Sequence, residues 1–250
     1  MINKKIIAGL FKGNFKQTVS RFTRELPQTV SGCTASLVYN LFNGVKSVGY
    51  CENAVVVESC ASNWGAFTLG NYINGQRGIA GDPNDSLFQH EYGHYLQSRA
   101  WGWAYLSRVG IPSLMSAGYN AGNHRFQPYE QDANLRAFIY FNDRIPGFYK
   151  SPEDQAKFGN SKGWDFYNNP LDVFRKGKSG KGDYYDYRNP KDRALLNRLS
   201  IRARWYDYLD PSGIIVGTIN GLRYKSLGKR NEEWCAMQGE SFFNGDKNLV

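Results

Sequence analysis

The sequence predicts an α+β fold in which a small sheet packs against two helices that carry most of the chain's reactive side chains. Three observations lead there. Apolar residues recur at helical spacing over 29–43, 86–101 and 128–141. Runs rich in β-branched residues, separated by turn residues, fill 45–73. Two of the chain's three histidines stand four apart in His90-Glu91-Tyr92-Gly93-His94.

The elements follow in order. Asn3 to Lys12 mimics a basic region followed by a hydrophobic core, but its apolar stretch runs only from Ile6 to Phe11. No small-residue cleavage site follows, so it does not read as a signal peptide. Thr29 to Asn43 places Val30, Cys33, Leu37, Val38, Leu41 and Phe42 on one face of a helix. Val45–Tyr50 and Ala54–Glu58 read as a hairpin around Glu52-Asn53, and Gly65–Ile73 as a third strand. Asp82-Pro83-Asn84-Asp85 supplies turn and cap residues for a helix opening at Ser86, and Gly102 is its natural stop. On that helix Phe88, Tyr92 and Tyr95 form an aromatic stripe suited to a core. Gly93, Leu96 and Ala100 share a side suited to close packing.

Beyond it, Trp101–Leu106 and Ile111–Met115 are apolar and form a buried layer or a pocket wall, the plain core being the simpler expectation. Asn120–His124 is a Gly/Asn loop. Pro128 and Tyr129 open a helix with Ala133, Ala137, Phe138 and Phe141 as its apolar stripe. From Tyr149 the composition shifts to Gly, Asn, Lys and aromatics. Lys176–Gly182 is a basic loop that lacks the residue order of a phosphate-binding P-loop. A helix is expected from Pro190 to Trp205 and a strand at Ile214–Gly217. The expected organisation is a metal-binding catalytic domain over 1–148. A basic, aromatic-rich extension over 149–250, with its helix near 190–207, packs on it.

The His90/His94 spacing has a chemical reason. Residues four apart on a helix share a face, so both imidazoles can bind one ion. Glu91 sits beside that face, placed to take a proton from a water next to the ion. A hydrolytic zinc site needs a third protein ligand. Gln97 and Ala100 stand where a metzincin has Gly and His, so the third ligand must come from a later element. Glu130, in the first turn of the helix at Pro128, is the preferred candidate, with His124 and Asp132 as rivals. Asn134 lies one turn beyond Glu130 and can hydrogen-bond a ligand imidazole. His124, between the motif and Glu130, is placed to polarise a substrate carbonyl.

Together, His90-Glu91-x-x-His94 and the later Glu130-x-x-Ala133-Asn134 resemble the gluzincin arrangement of thermolysin-like metallopeptidases. The chain departs from that pattern in a longer gap between His94 and Glu130 and in Asn134, where an aspartate is usual. Residues 5 to 140 further resemble a domain near the C-termini of bacterial RHS-repeat and polymorphic-toxin-like proteins. The runs that carry this likeness are Ser20–Thr23, Leu26–Thr29, Gly70–Ile73, Phe88–Ser98 and Gly110–Leu114. The resemblance implies a zincin-like fold and a zinc-dependent hydrolase, a metallopeptidase. His90, His94 and Glu130 would hold Zn2+, and Glu91 and His124 would be the catalytic residues. It implies a protein or peptide substrate, an inhibitor or immunity protein if the module is a toxin, and export within or alongside a larger secretion system.

Composition tests the rivals. No apolar run approaches the ~18 residues of a membrane-spanning helix. A net charge of +9 and six basic residues before the first acid, Glu25, invite nucleic-acid or cell-envelope binding. No nucleic-acid motif organises those charges, so a nucleic-acid partner is not expected. A catalytically inactive scaffold of the same fold is the remaining alternative. Cys33, Cys51, Cys60 and Cys235 contain no C-x-x-C pair. Cys51 and Cys60 fall on neighbouring strands and could pair, and free thiols are equally compatible with the sequence.

Overall fold

The computed structural model describes residues 2–119, 124–146, 148, 163–165, 168–171, 189–192, 194 and 204–227. Its described part is a mixed α+β fold built on a four-stranded sheet. Helices α1 (Ile2–Ala8), α2 (Phe15–Arg21) and α3 (Leu26–Leu41) come first. Strands β1 (Val45–Cys51), β2 (Ala54–Ser59), β3 (Ala66–Leu69) and β4 (Tyr72–Gly75) follow, in the spatial order β1-β2-β4-β3. β1 and β2 pair antiparallel, β2 and β4 parallel, and β4 and β3 antiparallel. The segment expected as one strand over Gly65–Ile73 is therefore two. Leu69 pairs with Tyr72 across a two-residue turn, Gly70-Asn71, with Gly70 at φ 63°. A Gly-Asn pair accepts positive φ and so folds the chain back on itself.

β2 and β4 are the inner strands and are buried along their whole length, as strands covered on both faces must be. Val55 and Val57 face one layer with Ile6, Cys33 and Tyr72. Ala54 and Val56 face the other, with Phe88, Tyr92, Tyr95, Phe138 and Phe141. That second layer is made by α4 (Ser86–Trp101) and α6 (Pro128–Arg144). Asp85 caps α4, its Oδ1 accepting from the amides of Leu87 and Phe88, and Gly102 ends the helix at φ 55°. The aromatic stripe of α4 is core, as its spacing suggested.

Between α4 and α6 run a five-residue π-helical turn (Leu106–Gly110), α5 (Ile111–Tyr119) and a short 3-10 turn (His124–Phe126). Trp101, Ala104, Tyr105, Leu106 and Val109 form a third small core with Tyr129. The last helix among the described residues, α7, spans Ile214–Leu227 and packs on α5, with Tyr119 Oη donating to the Gly221 carbonyl. This corrects the strand expected at Ile214–Gly217. The β-branched run is recruited into a helix because Asp210 Oδ2 accepts from the Ile215 and Val216 amides, closing an N-terminal turn over it.

Pro190, Lys191, Asp192 and Ala194 are helical, and the rest of the helix expected to Trp205 lies outside the described residues, as do the Lys176–Gly182 loop and Cys235. Trp205–Leu209 is a 3-10 turn. Trp164 and Leu171, from the expected extension, are buried in the main core. Cys33, Cys51 and Cys60 are free. Cys51 stands at the turn end of the β1–β2 hairpin and Cys60 just beyond its open end. At ~3.3 Å per residue they are too far apart to bridge. Burial pushes the Cys51 thiol up to about 11. No described helix is long and apolar enough to cross a membrane.

Candidate metal centre

α4 and α6 lie against each other, and their closest approach fixes the site. At Gly93 an added Cβ would stand 2.1 Å from the Ala133 carbonyl oxygen, so only glycine lets the helices meet this tightly. His90 and His94 project toward α6 on either side of that contact, and Glu130 in the first turn of α6 projects toward them. Glu130 Oε2 lies 3.0 Å from His90 Nε2 and 2.9 Å from His94 Nε2, and the two imidazole nitrogens are 3.1 Å apart. Ligand atoms around a tetrahedral ion with ~2.0 Å bonds stand about 3.3 Å from one another, close to this triangle. His90, His94 and Glu130 thus form a group able to hold a metal ion.

The surroundings decide which nitrogen of each ring faces the centre. Asn134 Nδ2 donates to the Pro170 carbonyl, which turns Asn134 Oδ1 toward His90 Nδ1 at 2.8 Å. Gln97 Nε2 donates to the Tyr129 carbonyl and to Asp132 Oδ2, which turns Gln97 Oε1 toward His94 Nδ1 at 2.8 Å. Each anchored amide presents an acceptor to Nδ1, so the neutral form of each imidazole carries its proton there and leaves an Nε2 lone pair facing inward. Two lone pairs and a carboxylate oxygen therefore point at one buried spot. They repel one another unless a cation lies among them.

A proton on His90 can serve as that cation. Burial works against a charged His90, yet the hydrogen bond to Glu130 and its charge outweigh it and raise His90 to about 9. Burial likewise opposes a charged Glu130, but His124 and His94 and the hydrogen bonds from the motif imidazoles hold it well below the usual carboxylate range. Glu130 Oε1 is buried without a hydrogen-bond partner, and His124 Nε2 stands 3.6 Å from it.

His124 thus reaches the rim of the site, with its Nδ1 3.2 Å from Ser116 Oγ. Asp132 does not reach the ligand triangle. It accepts from Gln97 and pairs with Arg136 Nε at 2.6 Å, as the inner link between them in a His94–Gln97–Asp132–Arg136 chain. It is thus not brought to the ligands as the rival the sequence offered, and its bridge through Gln97 has no counterpart in the sequence reading. Gln97 is buried three residues after His94, and that polar residue on the packed face was the signal available for it.

Glu91 faces a cleft of about 480 Å³ that His90, His94 and His124 also line. Thr68 Oγ1 donates to Glu91 Oε2 at 2.6 Å, and Tyr105 Oη donates to the Thr68 carbonyl at 2.8 Å. Neither contact has a sequence signature, because each joins residues far apart in the chain. One wall of the cleft is the sheet edge formed by β3, through Ala66, Phe67, Thr68 and Leu69. The edge beside the site is therefore β3. The hairpin considered from the sequence puts β1 on the opposite edge of the sheet. Leu106, Ile111 and Leu114 form the facing wall, so part of the apolar 101–115 stretch is pocket as well as core.

No family model, curated protein or solved structure matches the chain.

Proposed function

We propose that the chain is a zinc-dependent hydrolase, a metallopeptidase of zincin-like fold and gluzincin-like ligand set. The observation that carries this reading is the buried convergence of His90 Nε2, His94 Nε2 and Glu130 Oε2, with the unligated Glu91 carboxylate beside it on the same cleft. Nitrogen and carboxylate donors in this number suit Zn2+, and three protein ligands leave a position open. A bound zinc ion would supply Lewis acidity, polarising a carbonyl and making a nearby water more acidic. The chain's own residues do the rest. Glu91 accepts the proton of the attacking water and returns it to the leaving amine. Thr68 fixes which way the Glu91 carboxylate points. His124, on the rim, donates to the oxygen of the scissile carbonyl as charge builds there. The unpaired side of β3 offers backbone groups to an extended peptide, which aligns its carbonyls past Glu91.

Metal analysis of the purified chain, with titration of single-site variants and a peptide-library assay, tests the proposal. About one zinc per chain is expected, lost in His90→Ala, His94→Ala and Glu130→Ala and retained in His124→Ala. Glu91→Gln keeps the metal but loses turnover by several orders of magnitude. Retention of zinc by Glu130→Ala together with its loss in His124→Ala would replace this ligand set with a three-histidine one. Full activity in Glu91→Gln would refute the mechanism.

A further inference from the structure

The outward face of α2 is apolar where a surface helix should be polar. Phe15 and Val19 stand at i and i+4 on the helix, and Phe22, which ends it, continues that side at i+7, over about 10 Å. Phe15 is 83% exposed and Phe22 43%, and Phe11, 62% exposed, packs against Phe22 with ring centroids 5.6 Å apart. This surface is rigidly built. Asn14 and Gln17 form a reciprocal cap at the start of α2. The buried Arg21 gathers the carbonyls of Gly9, Leu10, Lys12 and Asn53, locking the turn that presents Phe11.

The rim of the patch is cationic. Lys12, Lys16 and Arg24 are exposed around it, and residues 2–24 contain no acid. Lys12 is held beside the patch by stacking over the Tyr50 ring, 4.4 Å from its centre. An adjoining cleft of about 830 Å³ brings Arg99, Arg136 and Arg144 alongside Lys16 and Arg24, against Glu25 and Asp143. Glu25 is buried and accepts from Ser20 Oγ, so it adds little charge at the surface.

Apolar tips ringed by basic residues fit one kind of occupant. We infer that this face docks the protein on an anionic lipid bilayer, with Phe11, Phe15 and Phe22 entering the headgroup boundary and the lysines meeting the lipid phosphates. A second copy of the chain is disfavoured, because two such faces would oppose lysine to lysine. The protruding phenylalanines suit a deformable surface, since a folded partner would need a matching pocket for each. Base stacking on nucleic acid would leave Val19 unused. Arg99 lies about 180° around α4 from His90, nine residues on, so the docking side and the metal cleft occupy different sides of that helix. Docking leaves the cleft open to substrate.

Co-sedimentation of the intact chain with vesicles is the test. Sedimentation is expected with phosphatidylcholine vesicles containing one-third phosphatidylglycerol, with or without a chelator, and none with phosphatidylcholine alone. Phe11→Ser with Phe15→Ser lowers binding about tenfold or more. Lys12→Gln with Lys16→Gln lowers it about 30-fold, at ~1 kcal/mol for each basic residue at the surface. All four positions are exposed, so circular dichroism of both variants should match the parent. Failure of the parent to sediment with anionic vesicles, equal sedimentation with neutral ones, or variants that bind like the parent would each overturn the inference. So would capture of a single-stranded oligonucleotide in place of vesicles, lost in the lysine variant.

Discussion

Replacing Gly93 with alanine should damage the metal centre without touching a ligand. The added Cβ would stand 2.1 Å from the Ala133 carbonyl oxygen and 2.5 Å from its carbonyl carbon, where contacts under 3.0 Å do not occur. The obstacle is backbone, so α4 and α6 must part by about 0.9 Å. His90 and His94 flank Gly93 on one helix, and Glu130 lies one turn before Ala133 on the other, so the shift falls directly on the ligand set. Metal–ligand distances hold to about ±0.2 Å, several times less than that displacement. For stability two effects compete. Alanine for glycine within a helix gains about 1 kcal/mol, whereas overpacking costs about 1–3 kcal/mol, near the top of that range when backbone is struck. We expect a net loss of about 1–2 kcal/mol, a Tm lower by roughly 2–8 °C, and zinc affinity down by about 100-fold or more. Metal titration and thermal melts with and without chelator measure both, and the chelator arm separates lost packing from lost ligand linkage. A Gly93→Ala protein that melts above the parent and binds zinc equally well would refute the reasoning.

Three further perturbations probe the outer parts of the site and the sheet. Thr68→Val keeps the side chain's shape but removes the donor to Glu91, so turnover on a confirmed peptide should fall about 10–100-fold, the worth of one charge-assisted hydrogen bond, with zinc content unchanged. Unchanged turnover would dismiss Thr68 as a positioning residue. Gln97→Leu strips the acceptor from His94 Nδ1 and should weaken zinc binding about 10–100-fold. Equal affinity in a titration would mean the Gln97–Asp132 chain does not support the ligand. Glu58 is pushed up by burial, but hydrogen bonds from Lys46, the Gly78 amide and Ser47 hold it lower overall, at about 2. Its contribution is therefore complete above the unfolded value of about 4.3 and is lost as pH falls from there toward 2. At pH 7 Glu58→Gln should be less stable by about 1–3 kcal/mol, with the gap closing between pH 4.5 and 2 in denaturant melts. A gap independent of pH would rule out this linkage.

What the sequence made legible was what is local. The α4 helix, its Asp85 cap and its Gly102 stop are periodicity and cap chemistry within a few residues. The facing of His90 and His94 follows from 3.6 residues per turn, and so does the alignment of Asn134 with Glu130. The misreadings arose where a local preference met a longer-range decision. Ile214–Gly217 has strand-forming side chains, but an upstream carboxylate and a packing partner in α5 made it helical. Gly70-Asn71 was a turn signal inside a β-prone run, and its effect on strand order, which puts β3 beside the cleft, depends on pairings no local window contains.

One sequence feature becomes intelligible only with the fold. α4 and α6 bury Gln89, Gln97, Ser98, Gln131, Asp132 and Asn134, a polar load that weakens the apolar stripe of both helices. Hiding such groups costs stability unless partners answer them. Asn134 and Gln97 spend their amide oxygens on the two imidazoles and their amide nitrogens on backbone or carboxylate. Gln89 ties α4 to the Pro83 and Gly163 carbonyls. A core built only to hold the fold would be better served by leucine at most of these positions. The polarity of Asn134, of Gln97 and of Asp132 behind it is explained by the two imidazoles they orient and the one carboxylate those imidazoles meet. The weakened hydrophobic patterning of α4 and α6 therefore coincides with the group able to hold a metal ion.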